Sequence, residues 1–146
     1  EAAKFYVSLF KDGRIKAVSH HGESTSNPSG QPAGAVLTVV FEIAGHEVML
    51  LNGGGDLKLN EAASLVIHCD TQAEIDRLYV ALTADGGKPG RCGWLTDRFG
   101  LTWQLVPAKL GEWITQRGPA AAQRVFVEIM KMQKLDMATL EKAAQG

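Results

Sequence analysis

Apolar positions change their period along this chain, and the changes mark out its elements. Ala2, Phe5, Tyr6, Leu9 and Phe10 recur at helical spacing, which predicts an amphipathic helix up to about Phe10. Asp12-Gly13 ends it, and Ile15–His20 reads as a strand. Gly22–Gly34 is rich in Ser, Gly, Pro and Asn and predicts a loop. Ala35–Ile43, rich in Val, Leu, Thr and Phe, predicts a buried strand. Ala44-Gly45 turns it, Glu47–Asn52 returns as its hairpin partner, and Gly53-Gly54-Gly55 breaks the chain.

The second half repeats this order. Ser64–Cys69 predicts a strand, and Thr71 with Glu74 three residues on is a capping box for a helix whose apolar stripe is Ile75, Leu78, Tyr79 and Leu82. Gly86-Gly87 ends that helix. Cys92–Thr96 and Leu101–Val106 read as a hairpin turned by Asp97–Gly100 and closed by Pro107. The tail is helical, with Pro119 suited to a first turn and Ala122, Val125, Phe126, Ile129 and Met130 as one face. Asp136 caps a last helix carrying Met137, Leu140 and Ala144.

Helix followed by hairpin thus occurs twice, as Ala2–Phe10 with Val36–Asn52 and as Gln72–Leu82 with Arg91–Val106. The second helix has a strand before it and the first does not. A repeated strand–helix–strand–strand–strand module explains both halves if one strand is missing in front. The fold class expected is α+β: one domain over 1–146, with paired modules at about 1–55 and 62–107 and a helical tail at 108–146. Glu1 lies inside the helical pattern, which implies a preceding segment.

Composition narrows the functional classes. With 15 basic against 16 acidic residues and a net charge of −1, the chain lacks the basic excess that phosphate-backbone binding needs, so nucleic acid is not an expected partner. The longest apolar run, Ala35–Phe41, is too short to span a membrane. Cys69 and Cys92 stand in unrelated contexts and read as reduced thiols of a cytoplasmic protein. Gly53-Gly54-Gly55-Asp56 lacks the Lys-Ser/Thr of a phosphate loop, and no glycine-rich strand-to-helix turn for a nucleotide cofactor is present.

Several stretches resemble one family. Glu1–Phe10, Leu51-Asn52-Gly53-Gly54, Asn60–Val66, Cys69-Asp70-Thr71-Gln72, Cys92–Gly100, Trp103–Pro107 and the tail from Met130 to Ala138 are together similar to PhnB-like members of the vicinal oxygen chelate (glyoxalase/bleomycin-resistance) superfamily. The resemblance implies paired βαβββ modules, each curving its sheet around a cavity. It also implies a homodimer, for which the Met-rich tail offers apolar surface. Proteins with this resemblance are often labelled demethylubiquinone methyltransferases, a chemistry for which the sequence offers no nucleotide-type cofactor loop.

Metal-dependent relatives hold a divalent ion with four His, Glu or Gln side chains, and the ion polarises a substrate carbonyl. Gln104, four residues after Gly100, matches the last of those positions. Alternation places Thr102, Gln104 and Val106 on one face and Leu101, Trp103 and Leu105 on the other. Ser64 stands where the second module's histidine would be, and serine is a poor ligand for first-row metals. His68 shares its face with Ser64 and Val66 and is a substitute candidate. Glu47 and Asn52, on opposite faces of the first hairpin, are the third-ligand candidates. Asn60 and Glu61 lie between the modules, near a pocket mouth or as turn caps. Trp94 is the better stacking wall, because alternation sends Trp103 toward a helix.

Three functional readings follow. One is a metal-free protein binding a small, amphipathic molecule with Gln104, Ser64, His68, Asn52, Trp94 and Thr102 in its pocket. Another is a divalent-metal enzyme using Gln104, His68 and Glu47. The third is a structural or regulatory dimer.

Overall fold

A computed structural model describes residues 1–23 and 29–146 of the chain. The middle of the expected Gly22–Gly34 loop lies outside the described residues. The chain divides into two compact units, Glu1–Leu57 and Lys58–Gly146.

The first unit runs α1 (Ala2–Leu9), β1 (Arg14–His20), β2 (Val36–Ile43) and β3 (His46–Leu51). Its sheet has the order β1-β2-β3, and both neighbouring pairs are antiparallel. Helix α1 buries Ala3, Tyr6 and Leu9. The Tyr6 ring lies 6.0 Å from that of Phe41, which together with Ile43 is fully buried. Asp12, in the turn after α1, pins the hairpin between β2 and β3. Its Oδ1 accepts from the Ala44 amide at 3.1 Å and its Oδ2 from Gly45 at 2.7 Å. Ala44 holds φ at +48°, a left-handed conformation that strains a residue with a Cβ. Every residue of β1 is exposed, as are Met49 and Leu51 on β3.

The second unit runs β4 (Leu65–Cys69), α2 (Gln72–Thr83), β5 (Lys88–Pro89), β6 (Trp94–Thr96) and β7 (Thr102–Pro107), followed by α3 (Leu110–Thr115), α4 (Gly118–Ile129) and α5 (Met137–Gln145). The sheet order is β4-β7-β6-β5, with β4 parallel to β7 and the other pairs antiparallel. This is one βαβββ module. The N-cap bond of the expected capping box forms, with Thr71 Oγ1 accepting from the Glu74 amide, while the Glu74 carboxylate reaches one residue further back, to the Asp70 amide. Ile67, Cys69, Leu95, Trp103 and Leu105 are buried on one sheet face, and α2 contributes buried Ile75, Leu78 and Leu82.

Three details differ from the pattern read above. Ser64 falls just before β4 rather than inside it. The two-residue β5 is the module's second strand in sequence; its Pro89 cannot donate to a ladder, which hides it from periodicity. Helix α4 buries the expected Val125 and Ile129, but Ala121 joins them in place of Ala122, and Phe126 and, just past the helix, Met130 are exposed. Val125, Ile129, Leu135, Leu140 and Trp113 form the tail's own core around Val106 of β7. Among the described residues no helix is long and apolar enough to cross a membrane.

Candidate functional site

Register fixes which side chains of the second sheet share a face. Val66 and Trp94 are both partners of Gln104, on either side of β7, and Thr96 is the partner of Thr102. Residues paired across strands point to the same side. Gln104, Val66, Trp94, Thr96, Thr102 and His68 therefore share the face opposite to the buried one. Val66 is 41% exposed, His68 is exposed, and Gln104, Trp94 and Thr96 are partly buried. Val106, next along this face, is sealed by the tail's core. An open polar and aromatic surface is thus bounded at one end by packed helices.

The centre of that face is a neutral pair. Gln104 Nε2 donates to Ser64 Oγ at 2.8 Å, across 40 residues of sequence. The parallel pairing of β4 with β7 brings them together. Beside them, the Thr102 hydroxyl is buried and has no hydrogen-bond partner among the described residues. Among the described residues Trp94 is the only partly exposed tryptophan; Trp103 is wholly buried and Trp113 nearly so.

The other candidates lie elsewhere. His68 is partnered with Val106, one row beyond Gln104. Strand spacing then puts its backbone about 8 Å from that of Gln104. Glu47, in the first unit, is engaged in an ion pair with Lys16. Asn52 donates from Nδ2 to the Val36 carbonyl at 3.1 Å, and its own amide bonds the Leu37 carbonyl. It prolongs the β2–β3 ladder. Asn60 accepts from the Ala62 amide, a turn-forming bond. Among the described residues no three His, Cys, Asp or Glu side chains are grouped so as to hold a metal ion.

Some of these residues line cavities, and each unit has one such cavity to consider. The first, about 670 Å³, lies between the start of α1 and the sheet, lined by Ile15, Val18, Val39, Leu50 and Asn52 among others. The second, about 320 Å³, is lined by Leu59, Asn60, Ser64, Leu65 and Leu101. Ser64 therefore joins the second cavity to the open sheet face.

Two groups that look reactive are structural. Burial pushes the Cys69 thiol up to about 12, and nearby Glu74 adds to the rise, so it is no nucleophile. Asp97 is 3% exposed. One of its oxygens accepts from the amides of Phe99 and Leu101, and the other from Trp103 Nε1 at 2.8 Å. It reads as a turn residue in sequence. The signal of its deeper role is the indole six residues on, which needs an acceptor when buried.

The glycine cluster Gly53-Gly54-Gly55 leads into a loop and not into a helix, so it does not form the helix-start cradle that binds nucleotide phosphates. No match was found among curated proteins. Solved structures do match. A PhnB protein from Bacillus cereus, described as a putative 3-demethylubiquinone-9 3-methyltransferase, is 30% identical, with a TM-score of 0.63 over 73% of this chain and 88% of that one. A protein from Pseudomonas aeruginosa is 21% identical, with a TM-score of 0.56 over 73% of this chain and 86% of that one, a likeness of fold. The family described as 3-demethylubiquinone-9 3-methyltransferase matches residues 1–106, which leaves the helical tail outside the match. By that match and those neighbours, the chain belongs to this PhnB-like family.

Proposed function

We propose that this protein binds a small, amphipathic organic molecule on the open face of its second sheet, without a glyoxalase-type metal centre. The carrying observation is the Gln104–Ser64 pair. Superfamily-type metal sites are built from His, Glu or Gln; here the second position is a serine, a poor ligand for first-row metals, and it takes the Gln104 amide's hydrogen bond instead. Trp94 supplies an aromatic wall in register with Gln104, and Val66 the apolar floor on its other side. Asn52 and the 670 Å³ cavity belong to the first unit and stand as a secondary pocket.

Methyl transfer, the reaction in the family's description, finds no support in the glycine pattern. The protein is read as a cytoplasmic homodimer: both cysteines are free thiols, and Phe126 and Met130 present apolar surface on α4. Light scattering tests the dimer, since a monomeric mass at micromolar concentration contradicts it.

Native mass spectrometry with elemental analysis of the same purified sample tests the main reading. A metal-free protein, carrying a bound organic mass or taking one up, is the expected result. A stoichiometric divalent metal whose binding is lost in Gln104→Ala and His68→Ala would replace this reading with the metal-enzyme one.

A further inference from the structure

We infer that the ligand is a flat, uncharged ring with a lactam-type edge, an N–H beside a carbonyl. This inference rests on the binding face proposed above and names the chemistry that face selects.

The hydrogen-bonding capacity left at Ser64 and Gln104 sets the edge. Gln104 Nε2 donates one of its two hydrogens to Ser64 Oγ, so the amide presents its Oε1 as an acceptor and keeps a second N–H as a donor. The serine oxygen receives that bond and keeps its own proton free to donate. No other protein partner for these groups is present among the described residues. An acceptor beside a donor is complementary to a donor beside an acceptor. An N–H next to a C=O on one rigid ring satisfies both groups at once. Thr102, on the same face, adds a buried hydroxyl with unused capacity.

The shape follows from the row across the sheet. Val66, Gln104 and Trp94 are in register on three adjacent strands, each about 4.8 Å from the next, so the row spans about 10 Å. That is the length of a bicyclic ring. The partly exposed indole of Trp94 provides a face for stacking at one end, and Val66 provides an apolar rest at the other.

The charge follows from what the row lacks. It holds no ionisable side chain, and the ionisable groups on this face, His68 and Lys88, stand in outer positions. An ionic ligand centred on Gln104 would lose hydration without gaining a counter-charge.

The experiment is a titration of the uniformly nitrogen-15-labelled protein with 2-quinolinone, N-methyl-2-quinolinone and naphthalene-2-carboxylate. Amide and indole resonances are followed by NMR, with Gln104→Ala and Trp94→Phe assigning the two side-chain signals. The inference predicts that 2-quinolinone moves the Trp94 indole and Gln104 carboxamide signals. Methylation of its ring nitrogen removes one donor and should weaken binding about tenfold. The carboxylate should bind at least as weakly. Equal affinity of the two quinolinones, or preference for the carboxylate, overturns the lactam edge. If neither quinolinone moves those signals but an aliphatic or charged fragment does, this inference fails while the binding face stands. If nothing moves them, both fail.

Discussion

Each unit closes its last hairpin with an aspartate, and the two aspartates sit in opposite surroundings. Asp12 is exposed and holds two amides of the Ala44-Gly45 turn. Asp97 is buried and holds two amides and an indole. The surrounding sheets differ in the same sense. In the second unit, β4 flanks β7, which is buried at every position except Gln104. In the first, no described strand flanks the outer edge of β3, and the corresponding surface stays open. The contrast teaches that a parallel fourth strand does two jobs. It completes the core on one face, and on the other it brings Ser64 to Gln104.

Asp97→Ala should separate the units most. It leaves an indole N–H and two amides without their acceptor in a buried place, and should cost roughly 3 kcal/mol, read as a fall in the urea midpoint. Gly93→Ala comes next. Gly93 has φ +84°, and a Cβ there would meet the Leu105 carbonyl oxygen at 2.8 Å and Leu135 Cγ at 3.0 Å. A loss of about 2 kcal/mol is expected, also from the urea midpoint. A change below 0.5 kcal/mol in either variant would contradict the account of the second unit's rigidity.

Asp12→Ala should cost less, about 1 kcal/mol, because solvent replaces much of what the carboxylate supplies. The hydrogen bond from the Gly45 amide, helped by that from Ala44, holds the Asp12 carboxyl below its usual range against the opposing effect of burial. A lowered folded pKa means the contribution is complete above the unfolded value of about 4 and is lost as pH falls through the folded pKa. Stability of the wild type should therefore drop more steeply than that of Asp12→Asn below about pH 4. Parallel slopes would remove Asp12 from the acid response. The smallest effect is expected from Ala44→Gly, a gain of about 0.5 kcal/mol, since glycine accepts φ +48° without strain.

The chain's own residues carried much of this. Thr71, Glu74 and Asp136 are local caps, readable because their partners lie within four residues. Alternation put Gln104 and Trp103 on opposite faces of β7, and burial agrees, with Trp103 enclosed and Gln104 partly open. Other features depend on contacts distant in sequence. Ser64 and Gln104 were separate candidates until parallel pairing brought them within hydrogen-bond distance. On α4 the periodicity identifies Val125 and Ile129 as buried, but because the helix is apolar at adjacent positions it also draws in Ala122, Phe126 and Met130, where the core takes Ala121. Asp97 reads as an ordinary turn aspartate until the Trp103 indole six residues on is counted as a buried donor in need of an acceptor.

The most direct test of the central claim is a fragment screen on the metal-stripped, nitrogen-15-labelled protein, with shifted resonances mapped onto both units. The account predicts that fragment-induced shifts concentrate on Ser64, Val66, Trp94, Thr102 and Gln104 without added metal. Shifts confined to the α1–β3 cavity of the first unit, or appearing on the second sheet only after a divalent cation is added, would contradict it.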